Sequence, residues 1–279
     1  MKRIVYLFLF FVFITLTGVT QFIYDSGRNY FKEKKAFLAL PKGKTLKIVS
    51  FGYSEAVADL LYIWAIQFYS DYSIKNGDDY IEDIFNLITD ISPQYKDPYM
   101  TGAVIMVLEK GKVKMGIRLL QKAAKNIKDD WIFDFDSGYY ASHYLKDYKL
   151  AEKYFSKASR IKGAPGFVKR LVYHQIYLEN DLKKAWVLWN SVKKNAKTCI
   201  EKDSSSKHLY QIKYEIDKKN LENAIKKFKK LRGFYPRNLK ILVKKGFIKF
   251  VPRDYKGNEY KYNNRSGIIT AIERYSWKR

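Results

Sequence analysis

With 279 residues, of which 47% are hydrophobic and 17% aromatic, the chain has material for a packed core, and global disorder is excluded. Its 15 glycines and 6 prolines are too few for the many tight turns of a β-sandwich and suit helices joined by short connections. The formal charge of +25 is uneven: Lys193 to Arg279 holds 25 basic against 8 acidic residues, which admits anionic lipid, nucleic acid or an acidic partner, or reflects lysine-rich composition alone. A single cysteine, Cys199, rules out an intramolecular disulfide and a CxxC metal site.

The chain opens with Lys2 and Arg3, followed by Ile4 to Tyr24 without a charge. That run reaches about 30 Å as a helix, enough to cross a bilayer, and it lacks the A-x-A-like site of a cleaved signal peptide. The expectation is a single-pass anchor over residues 1–24 in an inner, cytoplasmic membrane. Lys2 and Arg3 argue for a cytoplasmic start, whereas Arg28, Lys32, Lys34 and Lys35 after the span argue for the reverse. The reading places the bulk of the chain on the extracytoplasmic or periplasmic side. Residues 25–53 read as a connector, with a short polar helix from Ser26 to Leu38 broken by Pro41 and Gly43.

A period then emerges. Ala151-x3-Phe155-x2-Ala158 is preceded at 35 residues by Gly116-x3-Leu120-x2-Ala123 and followed at 34 by Ala185-x3-Trp189-x2-Val192. Another 35 residues back stands Ile81-x3-Phe85-x2-Ile88, with Pro93 closing the unit, and Ala224-x3-Phe228 follows after 39. Turn residues precede each small position: Asn76-Gly77-Asp78, Lys110-Gly111-Lys112, Lys146-Asp147 and Glu179-Asn180-Asp181. A small side chain lets two helices of a hairpin approach, and the large residue four later fills the gap to the next hairpin. This pattern resembles the tetratricopeptide (TPR) repeat over residues 54–230, and most of all the membrane-anchored bacterial members. It departs from the family pattern where Ile81 replaces the small residue and where the polar stretch Glu201–Lys207 sets the last unit apart.

The remainder, residues 231–279, reads as a small α/β cap: a helix from Arg237 to Lys245 ended by Gly246, then a β-hairpin pairing Phe247–Val251 with Glu259–Tyr262 across Pro252–Asn258. This string also resembles, weakly and over about 35 residues, the C-terminal part of pseudopilins. The expected fold is therefore all-α: a transmembrane helix, a TPR-like α-solenoid of helical hairpins, and a helix-plus-hairpin cap.

Catalytic patterns such as HExxH, GxSxG, Walker A and GxGxxG are absent from the sequence. His143, His174 and His208 are 31 and 34 residues apart, which is the repeat period and not a metal-ligand spacing. Asp129, Asp130, Asp134 and Asp136 lack the closing glutamate of a calcium loop and suit the positive end of a helix. Neither a metal nor a cofactor is expected. The resemblance implies a concave groove lined by the first helix of each unit, which puts Asp136, Tyr140 and His143, then Arg170, His174 and Tyr177, on a partner-binding face. The expected function is a non-enzymatic, membrane-anchored TPR scaffold for protein binding in assembly of a cell-envelope complex, such as a secretion, pilus or respiratory machine. The alternatives are a basic-surface binder of anionic lipid or acidic polymer, and an accessory factor in envelope glycan processing. Nucleic acid is not the expected partner.

Overall fold

The computed structural model describes residues 10, 12–20, 39–71, 74, 76–273 and 275. Residues 12–20 are helical, and Thr17 and Thr20 donate their hydroxyls back to Ile14 O and Leu16 O, so these polar side chains are satisfied within their own helix. Among the described residues no helix is long and apolar enough to cross a membrane. The ends of the expected span, Ile4 and Ile23, and the expected connector helix from Ser26 to Leu38 lie outside the described residues.

From Gly43 onward the chain is mostly helical and divides into two compact units, residues 1–133 and 134–279. In the first unit α1 (Gly43–Val49) packs on α3 (Ile81–Ile91), α2 (Ser54–Ser70) also pairs with α3, and α4 (Lys96–Val104) pairs with α5 (Val113–Asn126). The pairing follows from apolar spacing. Ile81, Ile84, Phe85, Ile88 and Ile91 form the buried stripe of α3, while Glu82 and Asp83 occupy its first turn, where the helix dipole favours anions. Tyr99 of α4 is fully buried, and its hydroxyl meets Asn126 Nδ2 at 2.7 Å.

In the second unit α6 (Ile132–Tyr140) is followed by α7 (Tyr148–Ala158), α8 (Gly166–Leu178), α9 (Leu182–Lys194) and α10 (Cys199–Arg232). The small-then-large positions do what the period requires. Ala151, Ala158 and Ala185 are fully buried, as are Phe85, Phe155 and Trp189 to within 2%. Phe85 presses on the position of Gly102, and Phe155 on that of Gly138. The turns are also in register: Gly111, Lys146 and Asn180 all have positive φ, and Asp147 and Asp181 then cap α7 and α9 through the amides of Leu150 and Lys184. Two of these turns are preceded by a wide π turn, Ile105–Glu109 and Ala141–Leu145, which adds a residue per turn. That insertion accounts for periods of 35 residues where 34 is the repeat norm.

Two expectations are corrected. The polar stretch Glu201–Lys207 does not separate a last hairpin; it is the start of the 34-residue helix α10. Thr198 caps it through the Glu201 amide, and Ser205, His208, Leu209 and Ile212 bury the face that meets α9, so the polar side chains lie on a surface rather than in a linker. The β-hairpin is displaced as well. β1 (Lys261–Asn263) pairs antiparallel with β2 (Ile268–Thr270), not Phe247–Val251 with Glu259–Tyr262. The turn Asn264–Gly267 closes it, with Gly267 at φ +72° and the Asn263 side chain accepting from Arg265 N. Only an isolated bridge joins Arg253 to Glu259. The short α11 (Lys240–Lys244) and the hairpin cover the second half of α10, burying Leu221, Ile225, Phe228, Leu242 and Ile269.

The close approach at Gly102 sets a measurable limit. A Cβ there lies 2.6 Å from Phe85 Cγ and 2.7 Å from Leu119 Cδ2, so Gly102→Ala should lower stability by about 1–3 kcal/mol in denaturant unfolding. The exposed Gly111→Ala, strained only by its positive φ, should cost about 1–2 kcal/mol.

Candidate functional site

The second unit carries the predicted partner face, and the structure splits its members. On α6 the buried side runs through Ser137, Gly138, Tyr140 and Ala141. Tyr140 is 6% exposed, and burial, helped by the Asp136 carboxylate, pushes its hydroxyl up to about 12. Asp136 is half-buried, while His143 is exposed. Tyr140 and His143 do not share a face because His143 lies inside the π turn. Its ring instead stacks on Tyr139, with centroids 5.5 Å apart and planes 4° from parallel, and Tyr144 stands edge-on at 4.9 Å. The surface that α6 presents is therefore Tyr139, His143 and Tyr144.

Arg170, His174 and Tyr177 share one face of α8, and that face meets α10. The Arg170 guanidinium pairs with Glu201 at 3.0 Å, His174 lies 5.8 Å from the His208 ring, and the Tyr177 hydroxyl donates to Glu215. These three residues thus bind two helices of the same unit together before they can bind anything else. Their sequence separations from their partners, 31, 34 and 38, lie within about one helical turn of the repeat length.

One opening remains beside them. Phe167, Arg170, Leu171 and His174 of α8, Trp189 of α9, and Ser204 and His208 of α10 line a cavity of about 330 Å³. Trp189 forms its floor and stacks on His208 with centroids 3.6 Å apart. Phe167 is 40% exposed at its rim and touches Phe135 of α6 edge-on at 5.9 Å, which joins the cavity to the helix that carries Tyr139. Burial lowers both histidines; His208 falls to about 3, with the neighbouring His174 adding to the effect, so both rings are neutral at neutral pH. The site offers aromatic faces, a neutral imidazole pair and one paired guanidinium. Among the described residues no three histidine, cysteine, aspartate or glutamate side chains converge as a metal site.

Tyr139, Tyr144, Phe167 and the Trp189–His208 stack escaped the sequence reading. Trp189 was visible as the large residue of its repeat, but its partner lay across an expected linker.

No protein-family model matches the chain, and a search of curated proteins returns no match.

The buried His208 makes stability depend on pH in a stated direction. Its folded pKa lies below the unfolded value of about 6.5, so the unfolded chain takes up a proton first and stability falls as pH drops below about 6.5, by up to about 1.4 kcal/mol per pH unit. Thermal unfolding between about pH 7 and about pH 5, above most carboxylate titration, should show this fall, and His208→Phe should reduce it, leaving the contribution of His174.

Proposed function

We propose that the chain is a non-enzymatic scaffold, anchored by its N-terminal apolar run, that recognises a protein partner through its helical hairpins in the assembly of an envelope complex. The observation that supports this most is the exposed aromatic cluster of Tyr139, His143 and Tyr144, continuous through Phe135 with the half-open rim at Phe167. Rigid aromatic rings that are already stacked give up little side-chain freedom on binding, and tyrosine is enriched among the residues that dominate protein interfaces. A helical-hairpin array supplies such surfaces on a rigid support, and the period from Ile81 to Val192 favours the TPR-like reading of that array.

The test is capture of partners by full-length protein solubilised from its own membrane. The unaltered chain should retain a stoichiometric set of envelope proteins. A Tyr139→Ser, Tyr144→Ser double variant should lose them, with a melting temperature within about 2 °C of the parent, since exposed substitutions change stability little. Retention of the same proteins by the double variant would sink the assignment of this face.

A further inference from the structure

The C-terminal cap carries a surface that the scaffold reading leaves unused. Between Asn223 and Arg253 there are eleven lysines and arginines and no aspartate or glutamate. This acid-free stretch runs from the last turns of α10 through α11 to the residues that follow it. Buried side chains in the stretch, Ala224, Ile225, Phe228, Leu239 and Leu242, build the cap core, so the cations are left on its outside.

Three large apolar side chains project from the same stretch. Leu231 is 72% exposed, Phe234 62% and Phe250 70%. They flank one aromatic hub in the sequence, and Phe234 touches it. Phe234 and Phe247 both stand edge-on against the buried Phe228, at 5.9 and 5.6 Å. Leu231 lies one turn beyond Phe228 on α10, and Phe250 follows Phe247 by three residues. Gly233 and Gly246, both with positive φ, end the two helices there, so Leu231 is in the last turn of α10, Phe234 directly follows its end, and Phe250 lies in the irregular segment after α11. Exposed lysines interleave with them: Lys227 and Lys230 beside Leu231, and Lys245 and Lys249 beside Phe247 and Phe250. The Lys229 ammonium lies 4.0 Å from the centroid of the Tyr235 ring, a cation resting on an aromatic face within the same stretch.

We infer that this end of the cap docks on an anionic phospholipid surface, with Leu231, Phe234 and Phe250 entering the headgroup–acyl boundary and the surrounding lysines and arginines at the headgroup phosphates. Two complementarities select this occupant. A run of cations with no carboxylate among them is attracted to a negative surface from any approach, without a matched pattern of partners. Apolar tips ringed by lysines match the layered chemistry of a bilayer interface, which takes up hydrocarbon and phosphate contacts at adjacent depths. Nucleic acid would satisfy the cations but offers nothing for the aliphatic Leu231, whereas a folded protein partner would need acidic groups placed one by one.

The full chain, reconstituted in phosphatidylcholine nanodiscs, tests the proposal with its N-terminal run already accommodated. A Cys199→Ser, Lys249→Cys chain carries an environment-sensitive dye beside Phe250. Discs containing phosphatidylglycerol, or added phosphatidylglycerol vesicles, should shift its emission to the blue and let lipid-borne quenchers reach it. Phosphatidylcholine alone should do neither. Replacing Leu231, Phe234 and Phe250 together by serine should weaken the vesicle interaction at least about tenfold, as should raising salt from about 50 to about 500 mM, with the helical circular dichroism unchanged. Equal emission in both lipids, in the disc and against added vesicles, overturns the proposal. So does a serine variant that docks as well as its parent. Binding of a single-stranded oligonucleotide that the serine triple variant retains, with no response to phosphatidylglycerol, reassigns the surface to nucleic acid.

Discussion

The packed crossings from α4 to α9 depend on a glycine or alanine that leaves room for a large side chain of the neighbouring helix. Gly102 admits the Phe85 ring, Gly116 admits Val107 and the Ala103 carbonyl, and Gly138 admits the face of Phe155. Each is matched by a large residue that fills the space gained, so the glycines and the aromatics form single packing units. Ala151 and Ala185 serve the same purpose with one methyl group apiece. Ion pairs such as Arg118–Glu82 and Lys184–Glu152 link helices one repeat apart, but they are largely exposed and add little beyond register.

The cap is held by different means. Asp217 of α10, almost fully buried, accepts from the Tyr260 hydroxyl at 2.7 Å and from Lys213 at 2.8 Å. Asp254 is buried too; burial alone would raise its carboxyl, yet donation from Asn258, Tyr210 and Lys256 holds it below the usual carboxylate range. The same geometry pushes the Tyr210 hydroxyl up to about 12, by burial first and then by its carboxylate partner. Two carboxylates are thus held inside the protein by hydrogen bonds, while the ten lysines and arginines from Lys226 to Lys249 lie outside in a stretch with no acidic residue. The surface of the cap is more positive than its composition because part of its negative charge is structural.

Much of the fold could be read from the sequence because it depends on local size and turn chemistry. The small-large period from Ile81 to Val192 located the second helix of each hairpin, and Gly111, Lys146 and Asn180 took up the left-handed conformations that their turns required. The partner face was less legible. Tyr140 continues the buried stripe of Phe133, Ser137 and Ala141, which leaves Tyr139 outside, and the π turn that follows carries His143 off that stripe; nothing in the local sequence distinguishes a π turn from an α turn. For the α8 set the legible part was the shared face of Arg170, His174 and Tyr177; what lies opposite is set by α10, whose polar first turns resemble a linker. The hairpin slipped because Pro252–Asn258 and Asn263–Gly267 are both good turn sequences, and the burial of Ile269 with Tyr260 decided between them.

The unbroken course of α10 has a consequence for how the protein can change. Its first half faces α9 through Ser205, His208 and Ile212, and its second half faces the cap through Leu221, Ala224 and Phe228. Helical geometry fixes the angle between these two faces at about 100° per intervening residue. One residue gained or lost between Ile212 and Leu221 would turn one face away from its partner, whereas the connection Gly163–Pro165 or the exposed loop at Gly257 can absorb such a change. Length variation among descendants of this chain should therefore accumulate in those connections and avoid the middle of α10.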